Sequence, residues 1–363
     1  MARTRQKSPF NTCSTVTFLP KKTLQCLLSR IFYDKVLPNK INQVRAYSVF
    51  NRDNDNPIQL AQLSQAARDR IAHIDFTLMF KGEAVRADLV DRFNIAATQA
   101  TKDFNLYREL APNNITYDPK QRLHKRGTHF TPLFDYDAVR TLATISQGYG
   151  DGFTGKVKPP LACEAPYHLN KPNLSIVAKV TEAIHKGKAL RITYVSLSSG
   201  ETTRDIVPHT LVDNGLRWHV RGFDRKHGPS GAPNGFRDFV LTRIKAAVVL
   251  EDSTLSPSVI KESELESQDR QWNRFVELEL VPHPRIEHSE AIELDYGMTG
   301  GVLKVEIRAA TAGYLLRQWN VDCSLDESLS GAEYQLFLRN KQALYGVANL
   351  KLAPSFDEKE LGN

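Results

Sequence analysis

At 363 residues the chain has room for two or three domains of roughly 100 to 200 residues each. Its hydrophobic share of 41% and charged share of 25% are ordinary for a soluble globular protein, and no apolar run reaches the roughly eighteen residues a membrane-spanning helix needs. The net charge of +7 sits wholly at the start: residues 1–56 carry ten basic side chains against three acidic ones, and the remainder is neutral.

Residues 1–57 are therefore read as a basic leader. A cationic arm can add sequence-independent attraction to phosphates. An unstructured extension, a start site assigned too far upstream and an organelle transit peptide fit the composition too, and together they carry more weight. The four cysteines, Cys13, Cys26, Cys163 and Cys323, form no CxxC pair. They suit neither a zinc site nor a disulfide framework, and fit a reducing cytoplasm.

The polar stretch Asn51–Pro57 reads as a linker, and a reader domain is expected over 58–134. Ile71, Ile74, Phe76, Leu78 and Met79 recur at helical spacing until Gly82. A second helix fits Val85–Phe93 and a third Ala96–Leu110. On the third, Ala100, Phe104, Tyr107 and Ala111 share one face, while Thr98, Thr101, Lys102 and Asn105 share the other, with Gln99 at the border. Ile115–Tyr117 then reads as a strand, Asp118-Pro119 as a turn, and Lys120, Arg122, His124, Lys125 and Arg126 as a basic run, with Thr128–Phe130 a candidate return strand. Three short helices and a basic hairpin make a winged helix-turn-helix. Thr98, Gln99, Thr101, Lys102 and Asn105 are candidates for base edges in a major groove, and Lys120, Arg122, Lys125 and Arg126 for phosphates. A small helical domain with a solvated polar face would show the same helix, but not the adjoining basic hairpin.

A helical linker is expected over 135–186, with helices at Tyr136–Ser146 and Asn173–His185. Between them Gly150–Lys156 resembles the core of a phosphate-binding P-loop. Val157 stands where the magnesium-ligating Ser or Thr belongs, and Pro159 and Pro160 bar a following helix, so a flexible loop is the better reading.

From Ala189 the period changes to two. Strands are expected at Ala189–Leu197, Thr203–Leu211, Leu216–Phe223 and Phe236–Val249, in a domain over 187–252. Their Ser-Gly and Asn-Gly turns argue for a small antiparallel barrel. Along Leu216–Phe223, Arg217, His219 and Arg221 fall on one side and Leu216, Trp218 and Val220 on the other. Such a basic row is either solvated surface or a face for an anionic ligand.

Residues 270–352 alternate strand and helix patterns: strands at Phe275–Pro282 and Val302–Ala309, helices at Ser289–Tyr296, Ala312–Trp319 and Asn340–Ala348. His283, Glu287 and His288 are spaced loosely enough, with Pro284 between them, to be surface residues rather than metal ligands. No catalytic set is assembled anywhere, so neither an enzyme nor a cofactor is expected.

Four blocks carry a resemblance: Ile192-Thr193-Tyr194, Thr203–His209, Arg217–Phe223 and Phe236–Ile244. In order and spacing they resemble the WYL family of bacterial regulators, with Trp218-His219-Val220 where the family has its name-giving Trp-Tyr-Leu. Within the family the chain is most similar to the BrxR/CapW group, regulators associated with anti-phage defence. Gln99–Phe104 and Trp218–Arg221 suggest that group, and the resemblance spans roughly residues 64–350. It implies a multidomain α+β protein: an N-terminal winged helix, an Sm/SH3-like barrel and a C-terminal dimerisation domain. It further implies a cytoplasmic homodimer on a pseudo-palindromic double-stranded operator, acting as a repressor. An anionic effector, such as a nucleotide or short nucleic acid, would bind the WYL domain. Carried over by motif, its surface would involve Tyr194, Ser196, Arg204, His209, Trp218, His219, Arg221, Arg237 and Arg243. Arg204 and Arg243 could equally be structural ion pairs, and Trp218 a core residue. The alternative is an accessory module that binds single-stranded nucleic acid through Trp218, Phe223 and Phe239 and stimulates a partner enzyme.

Overall fold

Helix α1 (Gln65–Lys81) starts where Ser64 accepts a hydrogen bond from the Ala67 amide and stops at Gly82, which takes φ 77°. A computed structural model of the chain describes residues 60–147, 169–227, 235–251, 259–329 and 331–357. The basic leader and the Gly150–Lys156 loop lie outside these. After the two-residue strand β1 (Glu83–Ala84) come α2 (Arg86–Phe93), a left-handed Asn94, and α3 (Ala97–Leu110). Ile71, Ile74 and Leu78 of α1 meet Leu89, Ala100, Phe104 and Tyr107 in one apolar core. The expected two-faced third helix is thus borne out on its buried side.

The hairpin closes earlier than Thr128–Phe130. Strands β2 (Ile115–Asp118) and β3 (Leu123–Arg126) pair with Thr116 opposite Lys125, and β3 also pairs with β1. Asp118 accepts the Lys120 and Gln121 amides, and Arg122 takes φ 56°. Those local bonds tighten the turn and draw the return strand into the basic run.

Helix α4 (Ala138–Gln147) follows, then α5 (Leu174–His185), capped by Asn173. Ile176, Val177, Val180 and Ala183 of α5 pack on Leu190, Ile192 and Ile206 of a five-stranded antiparallel sheet. Its strands are β4 (Leu190–Ser196), β5 (Gly200–Asp213), β6 (Trp218–Asp224), β7 (Phe236–Val240) and β8 (Ile244–Val249), in the order β7-β6-β5-β4-β8. Phe80 of α1 belongs to this second core, with Phe76 and Met79 packed beside it. The expected continuous strand Phe236–Val249 is broken by a 3-10 turn at Leu241–Arg243, which carries the chain from one edge of the sheet to the other. Among the described residues β7 and β8 share no ladder, so the sheet is not closed through hydrogen bonds. Gly222 lets β6 lie close to β5: a Cβ there would meet the Val207 carbonyl oxygen at 2.5 Å.

Short turns and α6 (Arg270–Asn273) lead to a four-stranded sheet, β10-β9-β12-β11. Its strands are β9 (Phe275–Pro282), β10 (Leu303–Arg308), β11 (Val321–Asp322) and β12 (Leu336–Leu338), with α7 (Ser289–Asp295) and α8 (Ala312–Gln318) between them. Leu278, Leu280, Leu316, Val321 and Leu338 form the core. The helix expected at Asn340–Ala348 is only a 3-10 turn, Lys341–Leu344. His283 is not at the surface: it is buried 3.2 Å from the Asp322 carboxylate, so it serves β9 and β11 rather than solvent. Glu287 and His288 are exposed.

Candidate nucleic-acid interface and ligand face

Helix α3 presents Thr98, Thr101, Lys102 and Asn105 to solvent while Phe104 and Tyr107 anchor it from behind. Gln99, half-buried, donates to Asp103 at 3.0 Å, and Asp103 in turn receives Arg70 of α1 at 2.7 and 3.2 Å. Thr101 bonds back to the Ala97 carbonyl and accepts from Arg86, and Asn105 accepts from Arg108. The exposed residues therefore sit on a helix whose rotation is fixed by an apolar core and a part-buried ion pair. Asp103 itself gives no sequence signal beyond a carboxylate at the wrong phase for solvent.

The hairpin stands beside α3. His124 of β3 stacks on Phe104, ring centroids 4.2 Å apart, and the ring of exposed Tyr117 lies 5.0 Å from it. Burial, reinforced by Arg108 and Arg86, pushes the His124 imidazole down to about 4. It is an uncharged link at neutral pH, not part of the cationic surface. Lys120 and Arg122 are exposed at the hairpin's turn, and Lys125 pairs with Asp118 at 2.8 Å. Arg126 faces the other way. It donates to the Met79 carbonyl at 3.0 Å and to the Glu182 carboxylate of α5, so both terminal guanidinium nitrogens are engaged within the fold.

A second polar cluster lies under α3. The Asp75 carboxylate accepts hydrogen bonds from the hydroxyls of Tyr107 and Tyr136 and from the Leu133 amide. Asn114 donates to the Tyr107 oxygen and ties in Thr131. Burial pushes the Asp75 carboxyl up to about 6, against donors that pull it down.

The row Arg217, His219 and Arg221 does not face water. His219 and Arg221 are buried. Arg221 grips Asp269, the cap of α6, through Nε at 2.6 Å and Nη2 at 2.9 Å, and reaches Asp238 of β7 at 3.0 Å. His209 meets the same Asp269 at 3.2 Å. Burial alone would raise the Asp269 carboxyl; His209 and Arg221 overcome it and hold it at about 2. Arg204 is buried on Asp224 at 2.6 Å beneath the rings of Tyr194 and Phe239, and Arg237 lies 3.8 Å from the same carboxylate. Tyr194 accepts the Val240 amide, Trp218 is half-buried against the second core, and Ser196 is half-buried at a turn with Ser198. The nine expected ligand residues thus divide. Tyr194, Arg204, His209 and Arg221 are committed to packing and ion pairs, and Arg237 leans on Asp224.

His219 and Arg243 belong to a different cluster. Tyr314 of α8 lies over the His219 ring, centroids 5.3 Å apart, and donates to Asp238 at 3.2 Å. Arg217 and Arg243 are near enough to help burial lower the proton affinity of His219. Buried Arg217 Nε and His219 Nδ1 have no hydrogen-bond partner, and neither Arg217 nor Arg243 has an acidic partner among the described residues. Asp238 and Asp213 act on His219 in the opposite sense, so the charge of this cluster is partly offset. Asp224, Asp238, Asp269 and Tyr314 were missed by sequence reasoning. Only Asp269 leaves a trace there, as the capping residue before Arg270-Gln271-Trp272.

Among the described residues no helix is long and apolar enough to cross a membrane, and no group of three or more His, Cys, Asp or Glu could hold a metal ion.

Family models match three consecutive stretches: the BrxR transcriptional regulator winged helix-turn-helix domain over residues 66–146, the WYL domain over 175–249, and the BrxR transcriptional regulator C-terminal dimerization domain over 275–344. The chain is 30% identical over 288 residues to the DNA-binding transcriptional repressor CapW of Escherichia coli, covering 77% of this chain and 90% of that protein. To the proteins of the same name from Pseudomonas aeruginosa and Stenotrophomonas maltophilia it is 33% identical over 264 residues and 31% over 271. Those matches cover 70% of this chain in each case and 82% and 83% of the relatives. Among solved structures it aligns with the proteasome accessory factor B/C of Arthrobacter aurescens at 16% identity, over 77% of this chain and 46% of that one, with a TM-score of 0.22.

Proposed function

The chain belongs to the CapW family of DNA-binding transcriptional repressors, and from that premise we propose that it is a repressor of a phage-defence operon, released or reinforced by an anionic effector. One observation carries the DNA reading. The outward face of α3 offers Thr98, Thr101, Lys102 and Asn105 on a helix locked from behind, beside a hairpin with Lys120 and Arg122 exposed. Side chains of these types hydrogen-bond base edges from a helix in the major groove, and flanking cations hold phosphates. Lys125 can share its charge between Asp118 and a phosphate. Arg126 acts from inside the fold.

The dimerisation-domain match, with Leu294, Tyr296, Leu325 and Tyr345 exposed on that part of the chain, supports a homodimer. Two winged helices would then meet a pseudo-palindromic operator. The open five-stranded sheet, with its 3-10 turn between β7 and β8, is read as the Sm/SH3-like barrel. We assign its effector site to Arg217, His219 and Arg243, beside Tyr314. The phosphate of a nucleotide or short nucleic acid would pair with Arg217 and Arg243. The protein is placed in the cytoplasm with its DNA.

A mobility shift on the duplex upstream of the gene, against scrambled duplex and single-stranded competitors, tests this directly. The upstream duplex should resist competition, and Lys102→Ala should weaken it by about 1–3 kcal/mol. Lys120→Ala with Arg122→Ala should lower the salt slope by about one for each phosphate that is no longer neutralised. A preference for single strands would instead favour an accessory module.

A further inference from the structure

Arg126 and Glu182 lie on opposite sides of the junction between the winged helix and the WYL domain, and together they form its most buried ion pair. We infer that Glu182 is a positioning residue through which the WYL sheet holds the wing in its DNA-reading position, so that a displacement of α5 is delivered to β3. The inference rests on the proposal that the wing touches phosphates.

Three interactions converge on the base of the wing. The Arg126 amide donates to the Gly82 carbonyl at 3.0 Å, and its guanidinium donates to the Met79 carbonyl at the end of α1 and to Glu182. Glu182 is buried yet faces two further cations, Lys186 at 2.9 Å and Lys179 at 3.8 Å. Burial alone would raise its proton affinity; Lys186 and Arg126 reverse that and keep it ionised. The fit around it is close: a Cβ on Gly82 would meet Glu182 Oε1 at 2.6 Å and Lys186 Nζ at 2.5 Å. One turn further, His185 reaches Glu83 of β1 at 3.3 Å. So both β1 and β3 are tied by side chains to one helix.

The opposite face of that helix is embedded in the sensor core, where Val177, Val180 and Ala183 are fully buried against Leu190 and Ile192. A helix transmits displacement between its faces because its backbone bonds keep it stiff. Lys120 and Arg122 lie at the far end of the hairpin that Arg126 anchors. Movement at the hairpin's base therefore swings the cations at its turn. The ion pair gives the two domains a shared equilibrium, which is what a coupling free energy between sites requires.

The test uses the full-length chain and its upstream duplex, with affinity followed by fluorescence anisotropy at several salt concentrations. Removing an acidic group from a DNA-binding protein ordinarily tightens binding. Here Glu182→Arg and Arg126→Glu should each weaken it by about tenfold or more, within the usual range of coupling between sites. Glu182→Arg should also lower the salt slope as Lys120→Ala with Arg122→Ala does. The double swap, Arg126→Glu with Glu182→Arg, should recover affinity to within about threefold and restore the slope. Binding by Glu182→Arg as tight as that of the parent overturns the inference. So does a double swap no better than Arg126→Glu alone, since Arg126 would then hold a phosphate itself. If Lys120→Ala with Arg122→Ala leaves the slope unchanged, the wing does not touch phosphates and the underlying reading fails instead. Circular dichroism melts of each variant separate these outcomes from unfolding.

Discussion

Arg221→Ala should destabilise the protein by about 3–5 kcal/mol, the usual cost of removing one member of a buried ion pair. The loss has a clear origin. Asp269 would keep only His209 and the Trp272 amide as donors, and Asp238 would keep Tyr314. A buried carboxylate left short of partners is expensive. In a thermal melt the effect should read as a fall in Tm of roughly ten degrees. Replacing Arg221 by Met together with Asp269 by Leu should recover part of it, because an apolar pair removes both desolvated charges at once. A Tm unchanged in Arg221→Ala would return this arginine to the ligand-facing role its position in the sequence suggests.

Asp75→Ala should cost a comparable amount, on the order of 3 kcal/mol, by removing the shared acceptor of the Tyr107 and Tyr136 hydroxyls and the Leu133 amide beneath α3. The same site shapes the response to acid. Burial holds His73 and His124 down at about 4, so the unfolded chain takes up their protons first as the pH falls below 6.5. Each therefore contributes stability that is complete above 6.5 and lost on the way to 4. Asp75 has the opposite sign. With its carboxyl up at about 6, the folded state binds a proton the unfolded state does not, and its contribution grows as the pH falls from 6 towards 3.8. Two histidines outweigh one carboxyl, so Tm should decline between pH 6.5 and 4.5. In Asp75→Asn, which keeps the shape of the carboxyl, the decline should steepen. A shallower decline in that variant would show that Asp75 titrates elsewhere.

The chain's periodic elements are readable from the sequence alone. Helices α2 and α3 lie within a residue of their expected bounds and α1 ends at Gly82 as expected, because Gly82 and Asn94 take the left-handed conformation that helix ends favour. Strand β9 follows from its alternation to the residue. What escapes depends on distant partners. Phe236–Val249 carries no Gly or Pro at Leu241–Arg243, so the break between β7 and β8 has no local mark. Strand β12 spans three residues and is defined by its neighbours β9 and β11. The basic row on β6 shows its charge but not its surroundings, since Asp269 lies 48 residues from Arg221 along the chain. A surface place for His283 fails for the same reason: Asp322 covers it from 39 residues away. The candidate DNA residues of α3 fare better, because helical phase alone separates Lys102 from Phe104.

Helix α1 lends different faces to two cores. Ile71, Ile74 and Leu78 close the winged helix, while Phe80 fills a place under the WYL sheet beside α5. No cut in the chain therefore yields a clean cassette. A fragment ending at the linker would carry Phe76, Met79 and Phe80 stripped of their cover, an adhesive stripe rather than a finished surface. A chimera that borrows another relative's reader must bring its own α5, or inherit a seam whose two sides were never matched.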